Sequence, residues 1–243
     1  LVFWAALSVV PESSDPERGK PDILGYILGP IALGTIVFAI IVGETAGYTA
    51  PHVLTLFAIG VAAGVLFAFF ETRSMAPILE IGYFRRMPFS GSLFVAFATY
   101  FGVFSIFFLT ALYLQIVLGY SAFRTAALFV PMAVGMIVAS SFAGRWVALR
   151  GPRAPVGLGC LAAGAGVILT DVALLGDVTY VPLMLSMALA GIGFGVAVVP
   201  ITSVALSSLP ARHSGMAASA TITAREVGTV LGVAALGSLF STQ

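Results

Sequence analysis

Seven long apolar runs limit what this chain can fold into more than any other feature. Each is close to or longer than the roughly 18 residues that a membrane-spanning helix needs. Their approximate bounds are 23–43, 53–70, 89–117, 125–148, 156–175, 181–207 and 215–240. The runs are continuous, whereas the strands of a transmembrane barrel alternate polar and apolar residues. Because a helix satisfies its own backbone hydrogen bonds and lipid offers none, the sequence predicts an all-α polytopic membrane protein.

The composition excludes several other classes of protein. Hydrophobic residues make up 60% of the chain and charged residues 9%, whereas soluble domains carry roughly a quarter charged residues. The few Lys and Arg residues are divided among separate loops, so no patch for nucleic acid is predicted. One cysteine (Cys160) and two separated histidines form no metal-ligand pattern, and no cofactor is predicted. No convergent nucleophile, base and charge stabiliser is present, so we predict that the chain is not an enzyme.

The ends of the sequence and its linkers predict the domain organisation. Residues 1–10 are apolar, begin without Met and lack a signal-peptide pattern, so we expect the end of a truncated eighth spanning helix. The predicted order is this helix end with a cytoplasmic linker (1–22), two spanning helices (23–70), and a further bundle of spanning helices (71–243). The chain is therefore expected to be a fragment.

The basic residues of the loops predict the orientation in the membrane. Every second loop is rich in them: Arg18, Lys20, Arg73, Arg85, Arg86, Arg145, Arg150, Arg153 and Arg212. The other three loops together contain only Arg124. Positive residues stay on the cytoplasmic side, so the loops of the first set are predicted to be cytoplasmic. The segment 71–88 mixes apolar residues with arginines, which fits either an amphipathic stretch on the inner leaflet or an ordinary basic loop.

Ionisable residues within the apolar runs are the candidates for a substrate or proton pathway, because charge is costly in lipid. Asp171, Arg225 and Glu226 form this group. Three more lie at the ends of runs and are predicted to be interfacial: Glu44, Glu71 and Arg145. Glycine pairs four residues apart predict close helix packing, notably Gly191/Gly195 and Gly228/Gly232, and Pro30, Pro131 and Pro200 predict kinks.

Several longer motifs resemble the fourteen-helix drug:proton antiporters of the major facilitator superfamily (the EmrB/QacA-like branch). They are LYLQIVLGYSAFRTAALFVPMAVG (112–135), AGIGFGVAVVPIT (190–202) and SGMAASATITAREVGTVLGVAALGS (214–238). The resemblance covers essentially the whole chain. It implies that residues 23–70 are the two inserted spanning helices of that branch and that the later runs are its helices nine to thirteen. Residues 71–243 would then be a C-terminal transporter bundle that lacks its last helix.

One signature of this family is degraded. The cytoplasmic loop motif Gly-x-x-x-Asp-Arg-x-Gly-x-[Arg/Lys] survives here as Gly144, Gly151 and Arg153, with Ala148 and Leu149 in place of Asp and Arg. The resemblance implies that this motif holds helix ends together through a charge pair of its acidic residue. Position 148 is Ala here, so such a charge pair is in doubt.

The resemblance implies proton-coupled export of small amphipathic compounds by a multi-pass protein of the bacterial cytoplasmic (plasma) membrane. Alternatives are a major facilitator exporter of a specific metabolite, lipid or siderophore, a non-transporting polytopic protein, or a membrane enzyme. The predicted partners are membrane lipid, a small-molecule substrate, protons, and the missing N-terminal half of the transporter, with no nucleic acid.

Overall fold

The computed structural model describes residues 22–74, 78–175 and 179–241, with side chains described as far as residue 237. Within these residues it contains seven long helices, two 3-10 turns and no strand. The helices are α1 (Ile23–Ala46), α2 (Pro51–Glu71), α3 (Met87–Ile116), α4 (Ala122–Arg150), α5 (Arg153–Leu174), α6 (Tyr180–Ser207) and α7 (Ser214–Ser241). They coincide with the seven predicted runs to within a few residues, which confirms the predicted all-α bundle. The predicted truncated helix and its linker (residues 1–21) lie outside the described residues.

Six helices, α1 to α6, are long and apolar enough to cross a membrane. The remaining helix, α7, has 28 residues and is also long enough to cross a hydrocarbon core of about 30 Å. It is less apolar because it contains Arg225 and Glu226. Of the seven predicted spanning helices, six are therefore long and apolar enough to cross a membrane. The seventh, α7, is long enough but carries two charged residues near its middle.

Local sequence signals account for the helix ends. The Ser121 side chain caps the start of α4 by accepting a hydrogen bond from the backbone N–H of Arg124 at 3.3 Å. Pro51 occupies the first turn of α2, where its missing N–H costs nothing. Gly47 and Gly151 follow α1 and α4 with φ of 85° and 77°, a conformation that side chains with a Cβ rarely adopt. These signals keep the loops short.

Helix α6 is the centre of the bundle. Twelve of its 28 residues are buried, against four of 24 in α1. It packs mainly on α4 and α5, and less extensively on α3 and α7. Helix α7 packs chiefly on α3, whereas α2 packs almost wholly on α1, and this hairpin meets the bundle through α1 and α7. The molecule is therefore a five-helix bundle with a two-helix hairpin attached to one side.

Glycines allow the helices around α6 to come close together. A Cβ at Gly195 would lie 2.5 Å from the carbonyl oxygen of Met136 in α4, and one at Gly191 would overlap the Met132 carbonyl. Gly193, on the other face of α6, lies against the backbone of Ala163 in α5. Small residues permit such backbone approach between membrane helices. The α6 glycines thus serve two different neighbours.

Arg124, the single basic residue of the loops predicted to face outward, lies among tyrosines. Its guanidinium carbon is 3.8 Å from the ring centroid of Tyr120 and 5.1 Å from that of Tyr180, and the two rings stack 6.4 Å apart. Tyrosine is common at the membrane–water interface, and cation–π contact stabilises a charge there. These contacts stabilise the charge of Arg124 at the end of its helix.

The segment 71–88 packs on the bundle where it is described. The 3-10 turn Ile81–Arg85 inserts Tyr83, which is 8% exposed, into an apolar cluster with Phe89 and Ala217. Arg86 donates a hydrogen bond to the carbonyl of Ser208 at 3.4 Å. The segment therefore contacts the N-terminal ends of α3 and α7, which neither of its two predicted forms had included.

Candidate functional site

A charged side chain lies at the junction of three helices. Arg225 is eleven residues into α7, so it lies about 16 Å from the start of the helix at a rise of 1.5 Å per residue. One of its terminal nitrogens (Nη2) donates a short hydrogen bond to the hydroxyl of Thr202 in α6. Its guanidinium carbon lies 5.3 Å from the ring centroid of Tyr100 in α3. Arg225 thus joins α7 to both α6 and α3, instead of extending to the membrane boundary.

The side chain of Arg225 is only partly satisfied. It is half-buried, and its Nε is buried with no hydrogen-bond partner among the described residues. The only ion pair found in the described part of the chain joins His213 to Glu80, at 3.8 Å. A cation in the middle of a membrane costs about 3 kcal/mol on insertion scales. A hydroxyl and a ring offset this cost only in part, because the guanidinium has five N–H donors and the buried Nε–H has no partner among the described residues.

Aromatic side chains extend the junction. The Tyr100 ring stacks on Phe104 with centroids 5.1 Å apart, and both rings contact Phe194 of α6, at 5.1 and 5.7 Å. This surface, which we call the Arg225 junction, consists of Arg225, Thr202, Tyr100, Phe104 and Phe194. It combines apolar ring faces with a single cation.

The other two predicted pathway residues are not part of this contact network. Glu226, the next residue of α7, is exposed, and its charge acts on Tyr100, as does the opposite charge of Arg225. Asp171 is also exposed and lies 18 residues into α5, about 27 Å from the start of the helix. The structure therefore places Glu226 beside the junction without a hydrogen bond or ion pair to it among the described residues, and Asp171 close to the end of α5.

The predicted packing glycines of α7 lie against α3. A Cβ at Gly228 would be 2.5 Å from the carbonyl oxygen of Phe97, and one at Gly232 would overlap the carbonyl of Phe101. These glycines are one and two turns beyond Arg225. The closest approach of α7 to α3 thus lies immediately next to the junction.

The remnant of the loop motif forms the turn between α4 and α5. Gly151 ends α4, and its N–H donates to the carbonyl of Val147 at 2.9 Å. Arg153 is the first residue of α5, while a Cβ at Gly144 would meet nothing within 4 Å. Among the described residues, no acidic group lies within ion-pair distance of Arg153. In this state the loop acts as a turn.

Residues 22–74, 78–175 and 179–241 contain no group of three His, Cys, Asp or Glu side chains that could hold a metal ion. Cys160 lies 3.7 Å from the hydroxyl of Thr99, a contact between α5 and α3.

Sequence reasoning identified Arg225 and did not identify its partners. Tyr100 and Thr202 belong to other apolar runs, and a hydroxyl in such a run usually bonds to its own helix. Thr202 does this as well, donating to the carbonyl of Val198 at 2.9 Å. The surroundings of Glu71 were not predicted either. This residue was expected at the membrane interface, and its side chain is buried at 3% exposure. Pairing between distant runs carries no local signal in a single sequence.

The described residues thus form a bundle of seven long helices with a half-buried cation at a helix junction, which is the architecture of a multi-pass membrane protein. The sequence model that describes the Major Facilitator Superfamily matches residues 2–233 of the chain. The chain belongs to this superfamily, as its motifs predicted.

Curated relatives with similar sequences are bacterial. The chain is 27% identical to the multidrug resistance protein Stp of Mycobacterium tuberculosis over 241 residues, which cover 99% of the chain and 44% of Stp. It is 29% identical to the multidrug efflux pump LfrA of Mycolicibacterium smegmatis over 233 residues, 96% of the chain and 46% of LfrA. It is also 29% identical to the probable actinorhodin transporter of Streptomyces coelicolor, over 98% of the chain and 42% of that protein.

The chain thus spans a little under half the length of these relatives. The comparisons confirm a multi-pass protein of the bacterial cytoplasmic membrane, and the family to which the chain belongs is one of transporters rather than enzymes.

Proposed function

We propose that this chain is the C-terminal part of a proton-coupled exporter of small amphipathic compounds. The observation that carries the proposal is Arg225, a cation in the middle of a spanning helix that is held by side chains of two other helices. Transporters of this kind work by alternating access, in which bundles move about a central site. A contact that joins three helices through one side chain can stabilise one state over the other. The names of two relatives, a multidrug resistance protein and a multidrug efflux pump, support drug-like cargo.

Glu226 is the proposed proton-sensitive member of the pair. Its carboxylate is exposed on α7 next to Arg225 and makes none of the junction contacts. In the complete transporter the proposed N-terminal half would pack near the C-terminal bundle. A carboxylate there can bind and release protons as access to water changes. Asp171, near the end of α5 that is predicted to face outward, is proposed as a second pathway residue with a smaller effect on transport than Glu226.

The test uses the full-length transporter in proteoliposomes with an imposed pH gradient and ethidium as substrate. We expect Arg225→Ala to lower the transport rate at least tenfold, because the α3–α6–α7 contact is lost. Arg225→Lys, which keeps the charge, should retain more activity. Glu226→Gln should flatten the dependence of the rate on pH. If Arg225→Ala and Glu226→Gln are expressed at wild-type levels and keep the wild-type transport rate and its pH dependence, the proposal is wrong.

A second candidate is the export of one specific metabolite. The likeness to a probable actinorhodin transporter over nearly the whole chain favours it. A panel of unrelated amphipathic dyes separates the two candidates. Transport of several dyes supports the multidrug form, whereas transport of none by a correctly folded protein supports the specific one.

A further inference from the structure

Three parts of the chain meet around one buried carboxyl group. Glu71, the last residue of α2, is 3% exposed. Its Oε1 accepts a hydrogen bond from the backbone N–H of Leu79, in the segment that follows α2. It also meets Asp22, which caps α1 by accepting from the N–H of Gly25 through Oδ1 at 2.9 Å. The Glu71 carboxyl group therefore joins the start of α1 and the segment after α2 to the end of α2.

The two carboxyl groups meet through their remaining oxygens. A Cβ placed on Gly25 would lie 3.1 Å from Glu71 Oε2 and 3.2 Å from Asp22 Cγ, so both groups reach the same point. The two side chains are close enough to hydrogen-bond to each other. Yet Glu71 Oε2 and Asp22 Oδ2 are both buried and receive no hydrogen bond from a donor among the described residues. Because ionised carboxylates only accept hydrogen bonds, a bond between these two oxygens requires a proton.

No positive side chain among the described residues neutralises this pair. Arg73, two residues after the end of α2, lies over the ring of Phe69, with its guanidinium carbon 4.0 Å from the ring centroid. Glu80 pairs with His213 at 3.8 Å, which is the one ion pair found in the described ranges. An apolar side chain fills the adjoining space, since Cδ1 of Ile78 lies 2.9 Å from the same Cβ position. In such surroundings two adjacent carboxylates repel each other strongly when both are ionised.

We propose that Asp22 and Glu71 form a proton-binding site that holds the segment after α2 on the α1–α2 hairpin. One proton from the adjacent water forms an O–H bond with one carboxyl group and a hydrogen bond to the other, which leaves one negative charge on the pair. Oδ2 and Oε2 are then satisfied, and Oδ1 and Oε1 keep their backbone donors, the N–H groups of Gly25 and Leu79. The two groups titrate as a unit. The site is separate from the Arg225 junction and does not rest on the proposed export.

Loss of the proton opens this arrangement. Two ionised carboxylates repel each other and need water, so the start of α1 and the segment that contains Leu79 must move away from the end of α2. The closed form binds one proton more than the open form, and it is therefore favoured at low pH and lost as the pH rises. While the open form has released the proton and the closed form retains it, the ratio of open to closed molecules increases about tenfold per pH unit.

Infrared spectroscopy of the purified full-length protein tests for the shared proton. The C=O stretch of a protonated carboxyl group is distinct from the bands of a carboxylate and of an amide. We expect the spectrum at neutral pH to contain a protonated-carboxyl component that is lost in both Glu71→Gln and Asp22→Asn. In each variant the new amide donates to the remaining carboxylate, which then stays ionised. Absence of this component in the wild type, or its persistence in either variant, overturns the proposal.

Hydrogen exchange of the Leu79 amide, followed by mass spectrometry, tests whether the proton holds the segment. This N–H is protected while it donates to Glu71. After correction for the intrinsic exchange rate, protection in the wild type should fall about tenfold per pH unit in the alkaline range. Glu71→Gln keeps an oxygen for Leu79 and gives Asp22 a permanent donor, so protection should remain and no longer depend on pH. Asp22→Asn should behave in the same way, which keeps the test valid if Glu71→Gln misfolds.

Glu80→Gln is the matched control, because it removes an acid from the same segment and breaks the contact with His213. Histidine changes its charge between about pH 5 and pH 8, so this ion pair is the other source of pH sensitivity in the segment. We expect Glu80→Gln to retain both the infrared component and the wild-type pH dependence of Leu79 exchange. If the pH dependence is lost in Glu80→Gln and kept in Glu71→Gln, it belongs to His213 and the proposal is wrong.

Discussion

The close packing of α5 on α6 predicts that Gly166→Ala destabilises the protein. A Cβ at Gly166 would lie 2.6 Å from the Cα and 2.7 Å from the Cβ of Ala190. Carbon atoms in contact are normally 3.5–4.0 Å apart, so the two helices would have to separate by about 1 Å. The overlapping atoms belong to backbone or to a side chain of one carbon, so no rotamer change relieves the overlap.

Overpacking of this kind costs about 1–3 kcal/mol. The matched control is Gly164→Ala, two residues earlier on α5, where a Cβ would meet nothing within 4 Å. Alanine is the better helix former, so this control should be neutral or more stable by up to about 1 kcal/mol. The assay is unfolding of the purified protein by sodium dodecyl sulfate in mixed micelles, followed by far-UV circular dichroism. Equal unfolding midpoints for Gly166→Ala and Gly164→Ala would refute the packing argument.

Two further predictions concern the topology and the Arg225 junction. In a protein with Cys160 replaced by alanine, a cysteine that replaces His52 should react with an impermeant maleimide added outside the cell. A cysteine that replaces Leu149 should react only after the membrane is permeabilised. Reaction of both cysteines from the same side would contradict the predicted orientation. Thr202→Val removes the hydroxyl that accepts from Arg225, a contact worth about 1.5 kcal/mol or a roughly tenfold change in equilibrium, so the transport rate of the full-length protein should change several-fold. Tyr100→Leu removes the ring and should act in the same direction, whereas wild-type rates in both variants would show that these contacts are not used.

The helices could be predicted from the sequence because lipid imposes a simple condition. A run that crosses the hydrocarbon core must be long and apolar, and this signal is local. Predicted run 156–175 is helix Arg153–Leu174, and run 181–207 is Tyr180–Ser207. The positions of Gly191 and Gly195 could also be anticipated, because spacing on one helix is visible in one sequence. Their partner helix could not.

The contacts between runs required the structure. Thr170 and Ser186 form a buried hydrogen bond of 3.0 Å between α5 and α6, although each hydroxyl alone resembles many others in the chain. The buried Glu71 is a sharper case. Its position at the end of an apolar run fits a side chain that reaches the membrane surface. In the structure, however, Leu79 of the following segment and Asp22 at the start of α1 both lie against the Glu71 carboxyl group and bury it.

The attachment of the α1–α2 hairpin has a consequence for sidedness. A pair of antiparallel spans returns the polypeptide to the membrane face from which it left, so the pair contributes an even number of crossings. Every loop after Glu71 would therefore keep its side if the hairpin were removed or duplicated. The principal helix contacts of the remaining bundle, α3 with α7 and α4 and α5 with α6, do not involve the hairpin. Such a unit can be gained or lost without reversing the protein in the membrane.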